Sequence, residues 1–220
     1  MVSEQNLKRI LTEHQLTQVR CQEDWGGIVL KQYAELMEHA DGTVADARCP
    51  EAVNLIERYN EERNLSIQVA DIEPILIHCA RELSARADLA DGEKIITTPC
   101  RILAEQGNAL ELPHTRFVSW KDFFSELGES LEPAPEASPI PPGFFTGLSV
   151  PVVSLSGRED IEDYLEERSR TSEGELEDRM MSGTAGSQNI GAVIADAGRK
   201  PLLLELLYCP KGCHMGDGVR

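Results

Sequence analysis

The chain has 220 residues, 38 of them acidic and 21 basic, which gives a formal net charge of −17. Phosphate groups bind to Lys and Arg, so this charge excludes nucleic acids and anionic lipid surfaces as expected partners. The length suits one domain or a small two-lobed one, and no apolar run reaches the roughly 18 residues of a membrane span, so we expect no membrane insertion.

Helical periodicity dominates the first part of the chain. We predict one helix over residues 3–19, a second over residues 24–39, and a third that begins at Pro50, directly after Cys49. A fourth helix is predicted over residues 71–87, and its inward-facing side chains are expected to be Ile75, Leu76, Cys79 and Leu83.

The second part of the chain alternates strands with helices, which predicts an α/β fold with a helical N-terminal part. Residues 128–147 are rich in Pro, Glu and Ser, and we interpret them as a linker or a long irregular loop. The other predicted elements are strands over residues 94–98 and 116–118, a helix over 120–127 capped by Ser119, a strand over 150–155, a turn at Ser156-Gly157, a helix over 159–167, a polar loop over 168–186, a helix over 188–197 and a strand over 202–207.

The strongest local pattern is a pair of cysteines, Cys209 and Cys213, at the end of the last predicted strand. Pro210 and Gly212 lie between them, and Gly216 follows, so the thiols sit in a tight turn with accessible backbone N–H groups. Such groups hydrogen-bond to the sulfur atoms of metal clusters. The pair is therefore a candidate metal-ligand motif.

Two single cysteines complete a set of four. Cys49 precedes a helix start, where the helix dipole favours a thiolate, and Cys100 follows a predicted strand. Four thiolates are the ligand set of an iron–sulfur cluster, so we predict that one 4Fe–4S cluster is bound by Cys49, Cys100, Cys209 and Cys213. Zinc is the alternative, although zinc sites usually contain paired CxxC motifs.

The remaining cysteines are interpreted differently. Cys79 lies on the apolar face of a predicted helix and is expected to be a core residue, whereas Cys21 lies between two helices and is expected to be a surface or hinge thiol. The N-terminus shows no signal-peptide pattern, so we expect a cytoplasmic protein whose six cysteines are thiols or metal ligands. Among the histidines, only His214 is expected near the metal centre.

The order of the cysteine motifs resembles the active-site domain of iron-only (FeFe) hydrogenases. The resemblance covers residues 25–220 and is most specific at its C-terminal motif. The matching motifs are Cys49-Pro50, Pro99-Cys100 and Cys209-Pro210-Lys211-Gly212-Cys213. It implies a two-lobed hydrogenase-like α/β fold whose short strands carry the cluster cysteines.

The resemblance also implies an organisation and a ligand set. The chain would comprise an N-terminal helical extension (residues 1–24), a first part of the hydrogenase-like domain (25–127), the proline-rich linker (128–147) and a second part of that domain (148–220). The four cysteines match all ligands of the family's 4Fe–4S cluster. In the family, the counterpart of Cys213 also bridges to the two-iron unit where hydrogen reacts.

Several family residues are replaced in this chain. Arg48 stands where the family has its proton-transfer cysteine, and a guanidinium does not release its proton near neutral pH. Leu103 replaces a lysine that contacts the two-iron unit, Gln106 replaces a glutamate, and Leu207 replaces a methionine. The family's Gly-rich segment, which lines the open iron site, has no counterpart. We therefore expect no two-iron subcluster and no hydrogen turnover.

The expected function is electron transfer or redox sensing by a hydrogenase-like 4Fe–4S protein within a larger redox complex. Its expected partners are other redox subunits or a ferredoxin-like protein, and an oligomer is compatible with the sequence. Two alternatives remain open. One is a redox enzyme with a modified metal centre at Cys213, including residual hydrogenase activity. The other is a zinc-stabilised interaction module.

Overall fold

A computed structural model describes residues 4–130, 136, 142–170 and 201–220. In these ranges the protein is α/β, and every strand pairing is parallel. The helices are α1 (Glu4–Glu13), α2 (Trp25–His39), α3 (Pro50–Arg63), α4 (Ile75–Ala85), α5 (Arg101–Asn108), α6 (Trp120–Glu126) and α7 (Arg158–Arg170), with short 3-10 helices at Ala87–Leu89 and Cys213–Met215. The strands are β1 (Thr43–Ala45), β2 (Gln68–Val69), β3 (Lys94–Thr98), β4 (Thr115–Ser119), β5 (Val152–Ser156) and β6 (Leu202–Leu207).

The chain divides into two compact units that alternate along the sequence. The first unit comprises Met1–Ile28, Glu73–Pro141 and Lys211–Arg220, and the second comprises Val29–Ile72 and Pro142–Pro210. The chain thus leaves the second unit after Pro210, between the two cysteines of the C-terminal pair. Each unit therefore contains two of the four candidate ligands: Cys100 and Cys213 in the first, Cys49 and Cys209 in the second.

The second unit is built on a four-stranded sheet with the order β2-β1-β6-β5. All six residues of β6 are buried, as expected for a central strand of a parallel sheet that is covered on both faces. One apolar cluster joins this strand to α3 and α7, and it includes Leu55, Ile56, Tyr59, Ile161, Tyr164, Leu165, Leu202, Leu204 and Leu206. On the other face of β6, Glu205 is fully buried.

The first unit contains the two-stranded sheet β3-β4, in which Lys94 pairs with Thr115 and Thr98 with Ser119. Helix α5 connects the two strands, and Gly107 on α5 lets the Phe117 ring approach closely. A Cβ atom at position 107 would lie 2.2 Å from that ring. A second apolar cluster joins Ile10 of α1 to the β4–α6 segment, which holds α1 on this unit.

Several sequence-based predictions are confirmed. Strands β3 and β6 have the predicted residues, and α3 begins at Pro50. Ser119 caps α6 as predicted, because its hydroxyl oxygen accepts a hydrogen bond from the backbone N–H of Asp122 at 3.1 Å. The described helices are not long and apolar enough for any of them to cross a membrane.

Other predictions are wrong in detail. The N-terminal part is not wholly helical, because β1 and β2 belong to the sheet of the second unit. Helix α1 ends at Glu13, near Gln15, whose backbone φ is 53°. Helix α4 begins only at Ile75, since Pro74 disfavours helical conformation in the residue before it. Its buried residues are Ile77 and Ala80, whereas Cys79 is only partly buried.

The predicted segments in residues 171–200, namely the end of the polar loop and the helix over 188–197, lie outside the described residues. The predicted linker over 128–147 is described only in part. Its last residues belong to the second unit, where the backbone N–H groups of Gly143 and Phe144 donate to Glu205 at 2.7 and 2.8 Å.

Candidate functional site

In the second unit, Cys49 lies between β1 and α3 as the residue that precedes the helix, in extended conformation. Burial raises the pKa of the Cys49 thiol, and the backbone N–H groups of Tyr208, Ala52 and Glu51 act in the opposite direction. The thiol makes no capping hydrogen bond to the helix, so these amides act on the sulfur mainly as dipoles. Burial outweighs these N–H groups, so the net pKa of Cys49 is raised.

Cys209, also in the second unit, lies two residues after β6. Strands β1 and β5 flank β6 in parallel, so the carboxyl ends of all three strands meet at one edge of the sheet. The Ser156 hydroxyl at the end of β5 donates to the carbonyl of Cys209 at 3.2 Å, and Tyr208 contributes its N–H to Cys49. The fold thus brings Cys49 and the backbone beside Cys209 together.

In the first unit, Cys100 follows β3 and precedes α5 in extended conformation. The fully buried Thr98 fixes this turn, because its hydroxyl donates to the carbonyl of Cys100 at 2.7 Å. Pro99 lies between them. Cys100 therefore has the same kind of position as Cys49, after a parallel strand and before a helix.

Cys213 begins the C-terminal 3-10 helix, and the residues after it pack on the Pro99-Cys100 turn. A Cβ atom on Gly216 would lie 2.5 Å from the Pro99 carbonyl oxygen, and one on Gly218 would lie 2.9 Å from the Cys100 backbone. The carbonyl of Gly218 also accepts the N–H of Lys121 at 2.7 Å. These glycines allow the backbone near Cys213 to reach the backbone of Cys100.

The donor chemistry suits a thiolate-bound metal. All six cysteines lie in the described ranges, each is partly buried, and no disulfide joins them. Within those ranges, however, no three or more His, Cys, Asp or Glu side chains are gathered as a metal site. The structure shows two separate arrangements, one around Cys49 and Tyr208-Cys209, the other around Cys100 and the turn that Cys213 begins.

Arg48, beside Cys49, is held in a buried charge network of the second unit. Its guanidinium donates to Asp46 at 2.9 Å and to Glu205 at 2.9 Å, and all three side chains are almost inaccessible. The guanidinium carbon also lies 4.5 Å from the ring centre of Phe144 and 4.5 Å from that of Phe145. Two carboxylates and two aromatic rings thus contact this buried cation.

The two carboxyl groups of this network differ. Burial raises the pKa of Asp46, although Arg48 and the Tyr33 hydroxyl favour its ionised form. Burial acts on Glu205 in the same direction, but the Ser154 hydroxyl, the Gly143 and Phe144 amides and Arg48 outweigh it, so the pKa of Glu205 is lowered. The surroundings of Glu205 thus favour its ionised form beside Arg48 more strongly than those of Asp46 do.

The structure also locates the other residues that the sequence analysis singled out. His214 is buried, and its Nδ1 atom has no hydrogen-bond partner among the described residues. Leu103 and Leu207 are buried apolar side chains, whereas Gln106 is exposed.

One arrangement was missed by sequence reasoning. Cys21 and Cys79 lie in the first unit, close enough for their thiols to interact electrostatically. The two cysteines are far apart in the sequence and have no shared motif, so only the fold shows their proximity.

No protein-family model, curated protein or solved structure matches this chain.

Proposed function

We propose that the protein is a hydrogenase-like 4Fe–4S protein that transfers or senses electrons within a larger redox complex. Cys49, Cys100, Cys209 and Cys213 would supply the four thiolates. The observation that supports this most strongly is the similar placement of Cys49 and Cys100, each in the turn between a parallel strand and a helix and immediately before that helix. When bound, a 4Fe–4S cluster supplies a one-electron couple whose potential depends on hydrogen bonds to sulfur and on burial.

Residues around the cysteines have defined tasks in this proposal. The N–H groups of Tyr208, Ala52 and Glu51 stabilise the Cys49 thiolate and would tune the potential. Gly216 and Gly218 keep the C-terminal turn against the Cys100 backbone. The close approach of the C-terminal turn to the Cys100 backbone would thus position these ligands. Residues larger than glycine at positions 216 and 218 would prevent that approach.

The charge network around Arg48 supports electron transfer without hydrogen turnover. Proton transfer needs a group that gains and loses a proton near neutral pH, in contact with the reacting atoms. Arg48 remains protonated and is fully engaged by Asp46, Glu205 and two aromatic rings. Leu103, at the position of the family's lysine, has no polar group. The two-lobed hydrogenase-like fold would accordingly keep the 4Fe–4S site without the two-iron subcluster.

The charge of the protein points to the kind of redox partner. With a net charge of −17, docking through a basic surface on another redox subunit or a ferredoxin-like protein would be favoured by electrostatic steering. Such association would weaken as ionic strength rises.

Anaerobic reconstitution with iron and sulfide tests this proposal. We expect about four irons and four sulfides per chain, the content of one cubane cluster. Single Cys→Ala variants at positions 49, 100, 209 and 213 should each lose most of this iron. Cys21→Ala and Cys79→Ala are matched controls from the same chain and should retain it.

Three other results would overturn the proposal. Zinc in place of iron would favour an interaction module. Hydrogen turnover that is lost in Cys213→Ser would favour a redox enzyme at Cys213. Equal iron loss in all six variants would show that iron binding does not depend specifically on the four proposed ligands.

A further inference from the structure

The segment before α2 is fastened to α4 within the first unit. The Glu82 carboxylate accepts hydrogen bonds from the backbone N–H of Gln22 at 2.6 Å and from the indole N–H of Trp25 at 2.7 Å. Arg86, the residue that follows α4, donates to the carbonyl of Arg20 at 2.9 Å. Cys21 therefore lies between two backbone positions, 20 and 22, that are each tied to the same helix.

Cys79 lies on the same side of α4 as these anchors, since residues three and seven positions apart share a helix face. Its thiol lies close enough to the thiol of Cys21 for the two to interact electrostatically. A further contact holds the two elements together, because the Trp25 ring stacks on His78 with ring centres 4.9 Å apart and planes inclined by 8°. The contacts around the two cysteines thus keep the Cys21 segment beside the part of α4 that carries Cys79.

The environments of the two thiols differ in a way that assigns their roles. The Arg86 guanidinium, which anchors this segment, also interacts electrostatically with Cys21. Burial and the neighbouring Cys21 raise the pKa of Cys79 to about 12. Cys79 is therefore the poorer first nucleophile, which leaves Cys21 to attack first and Cys79 to act second.

We propose that Cys21 and Cys79 form a thiol–disulfide exchange site whose substrate is a low-molecular-weight disulfide. The Cys21 thiolate attacks one sulfur of that disulfide, which forms a mixed disulfide and releases one thiol. The Cys79 sulfur loses its proton and attacks Cys21, which forms the Cys21–Cys79 bond and releases the second thiol. Two electrons pass from the cysteine pair to the substrate, and reduction by thiols reverses both steps. The site is independent of the proposed cluster function, because none of its residues is a proposed ligand.

Peptide mapping of the full chain tests this site. The reduced protein is incubated anaerobically with glutathione disulfide, alkylated and digested with trypsin. Cleavage after Arg20, Lys31, Arg63 and Arg81 leaves Cys21 alone in peptide 21–31 and Cys79 alone in peptide 64–81. We expect these two peptides joined by a disulfide as the main oxidised product. Glutathione adducts on both cysteines without this cross-link, or cross-links mainly to other cysteines, would overturn the proposal.

Two single variants separate the roles of the thiols. Cys79→Ala should stop the reaction at the mixed disulfide, with glutathione attached to Cys21. Cys21→Ala should leave Cys79 largely unmodified while the protein stays folded, as judged by circular dichroism. Rapid modification of Cys79 in the folded Cys21→Ala variant would contradict the assigned order.

A third variant tests whether the contacts of Glu82 with the segment before α2 bring the two thiols together. Glu82→Ala removes the acceptor for Gln22 and Trp25, and the equilibrium constant for disulfide formation against glutathione should fall about tenfold as the effective concentration of the thiols drops. Glu73→Ala is the matched control, because it removes only an exposed ion pair to Arg81 before the same helix. It should leave that constant unchanged, and equal constants in both variants would contradict the anchoring.

Discussion

The guanidinium of Arg48 lies 2.9 Å from a carboxylate oxygen of Glu205, and their side chains are 7% and 0% exposed. Glu205 belongs to the central strand β6, and Arg48 directly precedes the candidate ligand Cys49. The pair therefore connects the middle of the sheet to the turn that carries a proposed cluster ligand. Its integrity should matter both for stability and for the position of that turn.

Replacement of Arg48 by methionine should destabilise the protein strongly. It leaves two carboxyl groups buried without their cation, and removal of one partner of a buried ion pair costs about 3–5 kcal/mol of unfolding free energy. Chemical denaturation measures the difference. The control is Arg58→Met, which breaks an exposed ion pair with Glu162 and should change stability by only about 0–1 kcal/mol. Similar losses in both variants would contradict the structural role of Arg48.

Replacement of Gly218 by alanine should disturb the turn that holds Cys213 against the Cys100 backbone. The new Cβ would lie 2.9 Å from backbone atoms of Cys100, and such overpacking costs about 1–3 kcal/mol. Under the proposed function, iron uptake should fall as well. Gly92→Ala is the control in the same unit, because its Cβ would meet only a carbonyl oxygen at an ordinary 3.8 Å. Unchanged stability and iron uptake in Gly218→Ala would show that this close approach is not required.

Much of the local structure could be predicted from the sequence, because the signals were strong and short-range. The β-branched run 94–98 and the leucine-rich run 202–207 are typical buried strands, and Pro50 and Ser119 are typical helix starts. β1 and β2 were missed since strands of three and two residues have too little periodicity to detect. They exist because β6 and its neighbours provide the hydrogen bonds.

The candidate site could be predicted only as a set of residue types. The cysteine pattern indicated the four ligands of the proposal, but not the amide of Tyr208 that acts on Cys49, because Tyr208 lies at the end of a strand far along the chain. The contact of Arg48 with Glu205 could not be predicted from the sequence either, because the two residues are 157 positions apart. The contact of Cys21 with Cys79 depends on how α4 and the preceding segment fold together, which no local pattern encodes.

The attachment of α1 should depend on pH through Glu129. Hydrogen bonds from Arg9 and then His14 lower the pKa of Glu129 from 4.5 to about 2. The depressed pKa means that this carboxylate stabilises the fold above about pH 4.5 and that the stabilisation is lost as pH falls towards 2. The stability difference between the native protein and Glu129→Gln should therefore be largest at neutral pH and vanish at low pH. A difference that is constant from pH 7 to pH 3 would contradict this role.

Oxidation of Cys21 and Cys79 should stabilise the fold. A disulfide between residues 58 positions apart restricts the unfolded chain by about 4 kcal/mol in the chain-entropy model. Denaturation of the oxidised and reduced forms, with the cross-link confirmed by peptide mapping, measures this difference. Cys79→Ala treated with the same oxidant should show no such gain. A lower stability of the cross-linked form would mean that the thiols are brought together only by distorting the fold.

Mössbauer spectroscopy of protein enriched in iron-57 and purified without oxygen tests the central claim most directly. The proposed function predicts the quadrupole doublets of one cubane 4Fe–4S cluster, with no low-spin component from a two-iron unit. Low-spin iron beyond the cubane would contradict the proposed loss of hydrogen chemistry. The absence of cluster-bound iron in protein that has been reconstituted would contradict the assignment of the four cysteines as cluster ligands.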